Sequence, residues 1–242
     1  MSATAAASAA DAGAASPGPA RGAAEEKLFE LVVRWYGPPK LARMHALKHE
    51  QLHALWTTLW FAKGALTAPL DEQLRGEFGA LFDAFAASAL PTAPLPAPPA
   101  GLSAEQETLW TLGLVVLCDQ VSRNAFRGKP RAYATDGLAR RLADARLRHR
   151  FDELPVAVRL SVVLVYIHSE DAADVAVVEE LLARLRPALE PVSPFVWASI
   201  SAIALNHRDR MRLFGRVPER NAILGRASTE AEIVYMASTG GI

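Results

Sequence analysis

The chain has 242 residues, 51% of them hydrophobic and 21% charged, with 26 basic and 26 acidic side chains and a net charge of zero. That length buries a full core unaided and the balance excludes a disordered or fibrous chain, while neutrality gives no reason to expect nucleic acid as a partner. The single cysteine, Cys118, excludes an internal disulfide and a multi-cysteine metal site, and it fits a reducing, cytoplasmic setting.

Residues 1–24 are Ala, Ser and Gly with almost no bulky side chain, and they read as a disordered tail. They lack the apolar core of a secretory signal. They are poor in acids, as organelle transit peptides are, yet carry only Arg21 as a base, so an organelle address is the alternative to the cytoplasm. No run approaches 18 uninterrupted apolar residues, and no membrane contact is expected.

From Glu25 to Tyr36 the spacing predicts a helix with Leu28, Leu31, Val32 and Trp35 on one stripe, stopped by Gly37-Pro38-Pro39. A second helix is predicted over Ala42 to Ala62, and a third over Asp71 to Ala87 with Leu74, Phe78, Leu81, Phe82 and Phe85 inward. Residues 88–102 hold five prolines among small residues and read as an extended linker, dividing a helical layer from the main body or crossing its surface.

Ser103 with Gln106 fits a capping box opening a helix through Trp110, Leu114, Leu117 and Val121 to Arg123. Pro130 to Arg148 and Pro155 to His168 read as two more helices. Ser169 reads as the N-cap of a helix running to Arg186, with Glu170 and Asp171 in its first turn. Phe195 to Phe214 follows, and Thr229 with Glu232 caps a terminal helix. Nothing alternates as a strand does. Residues 25–242 are expected to form a single all-α domain of eight or nine antiparallel helices.

The phrase Arg-Asn-Ala occurs twice, as Arg123-Asn124-Ala125 before Gly128 and as Arg220-Asn221-Ala222 before Gly225. Both are expected to end helices at one polar, cationic pocket. Asp119 and Arg123 are four apart and can pair on one helix face. Gln120 adds an amide, Asn124 falls where left-handed geometry often ends a helix, and Arg127 and Arg216 extend the positive charge. From Asp119 to Arg150 there are nine Lys or Arg against three Asp. Converging guanidiniums suit a carboxylate or phosphate. The structural alternative is that Asp119–Arg123 is a helix ion pair, Asn124 a cap, and the other arginines solvated.

Residues 165–171 (VYIHSED) place His168 beside Glu170 and Asp171, and residues 206–210 (NHRDR) hold His207 and Asp209. Either histidine could act as a base, or with the carboxylates hold a divalent metal, but neither segment has a specific ligand spacing. His45, His49 and His53, four apart, fit a solvated helix stripe. Cys118 sits on the most apolar helix, where core packing is expected over reactivity. Trp35, Trp56, Trp60, Trp110 and Trp197 fall on inward stripes. No nucleotide or phosphate-loop fingerprint is present, and no cofactor or metal is assigned.

Taken in order, LCDQVSRNAFRGKPRAYATD, VYIHSED and HRDRMRLFGRVPERNAILGRAST resemble the domain-of-unknown-function 924 family over residues 30–236. The resemblance implies an all-helical fold near the tetratricopeptide-like arrays. It also implies shared polar positions at Asp119, Gln120, Arg123, Asn124, Arg127, Gly128, His168, Ser169, Glu170, Asp171, His207, Arg216, Pro218, Arg220 and Asn221. It transfers no activity. Where the family pattern leads one to expect an aromatic and a histidine, this chain has Val217 and Glu219.

Three functions compete on this reading. The leading one is a helical binding protein whose cationic cleft accepts an anionic small molecule or a peptide carboxylate. Asp119 would orient Arg123, and Arg220 and Asn221 would meet the ligand from the other side. The second is a small hydrolase or transferase, metal-assisted or not, using His168 or His207 with Glu170 and Asp171, and the third is an assembly scaffold.

Overall fold

The stripe read between Leu28 and Trp35 becomes the inner face of helix α1 (Arg21–Tyr36), where Leu28, Leu31, Val32, Trp35 and Tyr36 are all buried. The computed structural model describes residues 21–37 and 40–239, and among these the regular elements are helical throughout. The expected tail lies outside the described residues up to position 20, but α1 already includes Arg21 to Ala24, so the helix begins ahead of Glu25. Gly37 ends it at φ 80°, a left-handed conformation that glycine adopts without a Cβ penalty, while Pro38 and Pro39 lie outside the described residues.

Helix α1 crosses the central helix α5 (Ala104–Val116), which is buried on every side from Thr108 onward. The two helices are tight at Gly113, where a Cβ would stand 2.7 Å from the Leu28 carbonyl oxygen. The predicted capping box opens α5, with Ser103 Oγ accepting from the Gln106 N–H at 3.3 Å and Gln106 Oε1 from the Ser103 N–H at 2.9 Å.

Several predicted helices are divided. The single helix expected over Ala42–Ala62 is instead α2 (Leu41–Met44), α3 (His49–Leu55) and a π-helical turn at Trp56–Trp60. The break falls at Lys48, whose backbone is extended and whose N–H is taken by Gln51 Oε1 at 3.0 Å, so a new N-terminus starts at His49. Helix α4 (Thr67–Ala86) starts earlier than Asp71 and buries Leu74, Phe78, Leu81 and Phe82.

The proline-rich strap at 88–102 crosses the surface of the body. Arg141, on α7 (Asp136–Arg146), donates to the carbonyls of Ser88, Leu90 and Ala93, and Arg146 donates to that of Pro96. The helix expected over Pro130–Arg148 is likewise shorter: a 3₁₀ turn at Pro130–Tyr133 precedes α7 and another, Arg148–Glu153, follows it. Thr135 separates the first two, its hydroxyl bound to the Cys118 carbonyl at 2.6 Å.

The C-terminal half packs α8 (Val156–Ile167), α9 (Ala173–Leu189) and α10 (Pro194–Phe214) onto this core. Ser169 does not cap α9. Its hydroxyl accepts from the Asp171 N–H, and Asp171 Oδ1 accepts from the Ala173 N–H, so the helix starts three residues later and Glu170 is released from its first turn. Helix α10 closes on Gly215 at φ 65°, and the loop after it carries Arg220 back to the centre. The expected Thr229–Glu232 box opens α11 (Glu230–Thr239). Among the described residues no helix is long and apolar enough to cross a membrane.

Candidate functional site

The helix predicted to run straight to Arg123 is interrupted. After Val116 it widens into a π-helical turn, Leu117–Val121, before resuming as α6 (Ser122–Ala125). Turns of this kind re-aim side chains and occur often at functional sites. Here the turn carries Asp119 into the interior with no exposed surface. Both carboxylate oxygens face His168 Nδ1, at 2.9 and 3.0 Å, and Gln120 Nε2 donates to Oδ2 at 3.1 Å.

Burial opposes the charge on Asp119, but His168 and Arg123 outweigh it and hold the carboxyl below its usual range, at about 2. Burial and then Arg123 push His168 below the ordinary histidine value, against the pull of Asp119. At neutral pH the pair is therefore a carboxylate and a neutral imidazole. Nδ1 carries the proton that Asp119 accepts, which leaves a lone pair on Nε2. Nε2 makes no hydrogen bond among the described residues.

The two Arg-Asn-Ala phrases meet in space, on residues that the motif reading did not include. Arg123 grips Asp136 with both terminal nitrogens, at 2.9 and 2.8 Å, donates to the Asp119 carbonyl, and lies 3.4 Å from Asp119 Oδ1. Arg220 comes within 3.5 Å of Asp136 Oδ2. Both guanidiniums stand over the Tyr133 ring, at 5.6 Å for Arg123 and 4.8 Å for Arg220. The signal for Asp136 was available in sequence: it is the one acid between Asp119 and Asp144 in a strongly basic stretch.

The sharing of Asp136 is unequal. Arg123 has a bidentate hold, whereas Arg220, 9% exposed, donates no hydrogen bond among the described residues. Burial and then the neighbouring Arg123 work against the charge on Arg220. Burial also raises the Asp136 carboxyl, against the pull of Arg123.

Two cavities are lined in common by Tyr133, His168 and Arg220. One, of about 290 Å³, adds Asp136, Arg140 and Glu170. The other, of about 320 Å³, adds Arg123, Arg127, His207 and Arg210 together with apolar Ile167 and Ile203. His207 is buried in the wall, its Nε2 has no partner, and burial followed by His168 and Arg220 lowers its pKa to about 4. Asp209 is not its companion; that carboxylate bonds Arg208.

The remaining candidates are largely occupied with one another. Glu170 borders a cavity but accepts from Arg226 at 2.7 and 3.0 Å and from the Val217 N–H at 2.7 Å. Asp171 is exposed and lines neither cavity, so the acid–base grouping of His168 with Glu170 and Asp171 gives way to His168 with Asp119. Arg127 is bidentate on Asp71 and also donates to Asn124. Asn124 itself is right-handed, and the left-handed position after it is Gly128, at φ 74°.

Arg216 and Asn221 both turn to Glu232, Arg216 at 2.6 and 2.8 Å and Asn221 at 3.3 Å, which removes Asn221 from the expected ligand face. Glu219, at the position where a histidine was expected, pairs with Arg210. Burial raises the Cys118 thiol within the core. His49 bonds Ser193, and His53 packs on Phe195 at 4.6 Å. Among the described residues no three His, Cys, Asp or Glu side chains stand close enough to hold a metal ion.

A family model described as a bacterial protein of unknown function (DUF924) matches residues 34–240. No curated protein matches. A solved structure of a protein of unknown function from Agrobacterium tumefaciens is similar to this chain, with 31% identity and a TM-score of 0.55, covering 74% of this chain and 89% of that one.

Proposed function

This chain belongs to the DUF924 family of bacterial proteins, and we propose that this member binds a small anionic molecule, with Arg220 as the anchor. The observation that supports the reading is the state of that one side chain. A guanidinium with five donors and no hydrogen bond to the protein offers those donors to whatever enters the space beside it. Arg220 has Asp136 only at 3.5 Å, and two cavities reach it. A carboxylate or phosphate would accept two parallel N–H bonds there.

The volumes set the size of the ligand. Spaces of about 290 and 320 Å³ sit at the lower end of small-molecule pockets. Tyr133 supplies an aromatic face, and Ile167 and Ile203 supply apolar wall for a short carbon skeleton.

A thermal-unfolding panel of small carboxylates and phosphate esters, run on the wild-type protein and on Arg220→Gln, tests this. A ligand at a hundred times its Kd adds about 2.7 kcal/mol. A stabilising anion whose effect disappears in Arg220→Gln is the expected result. An anion response that survives the substitution would place the ligand elsewhere.

The scaffold reading draws on a different observation, the dense pairing of Arg216, Asn221, Arg226 and Arg127 with protein partners. These residues brace the loop and helix ends. Arg220 and the Nε2 of His168 make no hydrogen bond among the described residues and border both cavities, and the binding reading rests on them.

A further inference from the structure

We propose that Asp119 and His168 form a general-base dyad, in which Nε2 of His168 accepts a proton from a water or hydroxyl group beside the anion held on Arg220. The inference rests on the anion-binding reading and extends it from binding to proton transfer.

The geometry carries it. A base must have a fixed ring, a defined tautomer and an open lone pair. Asp119 fixes the ring by receiving Nδ1–H on both oxygens, and Gln120 Nε2 pins the carboxylate in turn. The π-helical turn at Leu117–Val121 sets Asp119 and Gln120 in place. His168 sits at the C-terminal end of α8 and lines both cavities. Its second nitrogen therefore faces the space that Arg220 also borders.

The surroundings hold the dyad in the accepting state. Asp119 and Arg123 face the ring from the α5–α6 run, Asp136 from α7, His207 from α10 and Arg220 from the loop. Burial and Arg123 keep the imidazole neutral before the step. In the step the O–H bond breaks, its electron pair stays on the oxygen, and the proton passes to Nε2. The resulting imidazolium is balanced by Asp119, and the new oxyanion lies near Arg220 and Arg123. Neither oxidant nor further reactant is required. His168 is the group that touches the reacting atoms, and Asp119 is a positioning residue.

The test is long-range proton–nitrogen NMR of the full chain, with inorganic phosphate as the probe and His168→Gln to assign the ring. Expected at pH 7 is a neutral His168 protonated on Nδ1. Phosphate should raise its proton affinity about tenfold, one pH unit. In Asp119→Asn the ring should lose its Nδ1–H preference while the thermal transition remains cooperative. If that variant fails to fold, the wild-type tautomer decides alone.

A wild-type ring protonated on Nε2, or already charged at pH 7, overturns the dyad. A phosphate response at the Arg220 side chain with none at His168 also overturns it, and leaves anion binding intact. No response at either residue removes the anion site, and the dyad with it.

Discussion

The guanidinium of Arg220 stands 4.8 Å above the ring of Tyr133, yet its nearest carboxylate oxygen, on Asp136, is 3.5 Å away and already held by Arg123. Two arginines thus share one acid unequally, and their roles divide accordingly. Arg123 bonds the buried Asp119 and Asp136, whereas Arg220, the second positive charge of the cluster, makes no hydrogen bond among the described residues and borders two cavities.

Substitution should separate them. Arg123→Gln leaves two buried carboxylates without their main partner and should cost about 3–5 kcal/mol, the usual result of breaking a buried ion pair on one side. Arg220→Gln removes a charge that meets Asp136 only at 3.5 Å and makes no hydrogen bond among the described residues, so it should cost clearly less. Urea denaturation of the two variants measures the contrast. Equal losses would mean that both arginines are braces.

The α1–α5 crossing makes a second prediction. At Gly113 a Cβ would meet the Leu28 carbonyl oxygen at 2.7 Å and the Leu28 Cβ at 3.2 Å. Gly113→Ala should therefore destabilise by about 1–3 kcal/mol, as overpacking does. Gly137, inside α7, has nothing within 4 Å of such a Cβ. Gly137→Ala should instead stabilise by about 0.5–1 kcal/mol through helix propensity. Paired denaturation curves check both signs.

Acid sensitivity follows from the histidines. Burial lowers the folded pKa of His207 to about 4, against about 6.5 in an unfolded chain. Between these values the unfolded state binds more protons, so stability is full above about pH 6.5 and falls as pH drops toward 4. The shift corresponds to a contribution on the order of 3 kcal/mol. His168 acts with the same sign. Asp119 and Glu232, both held at about 2, add a further loss only below about pH 4. His207→Gln should flatten the wild-type slope between pH 6.5 and 4, and an unchanged slope would contradict the assignment.

The loop that carries Arg220 is fastened by Glu170, which accepts from Arg226 and from the Val217 N–H. Glu170→Gln keeps the shape but gives up the charge. The Val217 amide should then exchange its hydrogen faster, by about tenfold for each 1.4 kcal/mol lost. Protection equal to the wild type would show that the loop is held by its other contacts.

Most of the fold was legible because apolar spacing and caps are local signals: α1, α5, α8, α10 and α11 stand close to where Leu28–Trp35, Ser103–Gln106, Pro155–His168, Phe195–Phe214 and Thr229–Glu232 put them. The interruptions were not legible. The break at Lys48 depends on Gln51 turning back to its N–H, and each π turn adds a single residue to a helix whose apolar spacing continues on either side. The motif reading singled out Arg123, Arg220, Asp119 and His168 and paired Asp119 with Arg123, a contact present at 3.4 Å, but not the partners each takes from elsewhere in the chain. Asp119 turns to His168 and Arg123 to Asp136, because folding rather than spacing brings α8 and α7 against the π turn. Arg216 and Asn221 carried the same sequence signal as Arg220, and only their bonds to Glu232 distinguish them.

The central claim is that Arg220 is the anchor for an anion, and crystals soaked in selenate test it most directly. Selenium scatters anomalously, and selenate presents the oxygens of a phosphate-like anion. The account predicts an anomalous peak within about 4 Å of the Arg220 guanidinium carbon, close enough for N–H···O bonds of about 2.7–2.9 Å, and no such peak in Arg220→Gln. An Arg220 bonded to a protein carboxylate, with selenate absent from both cavities, would contradict it.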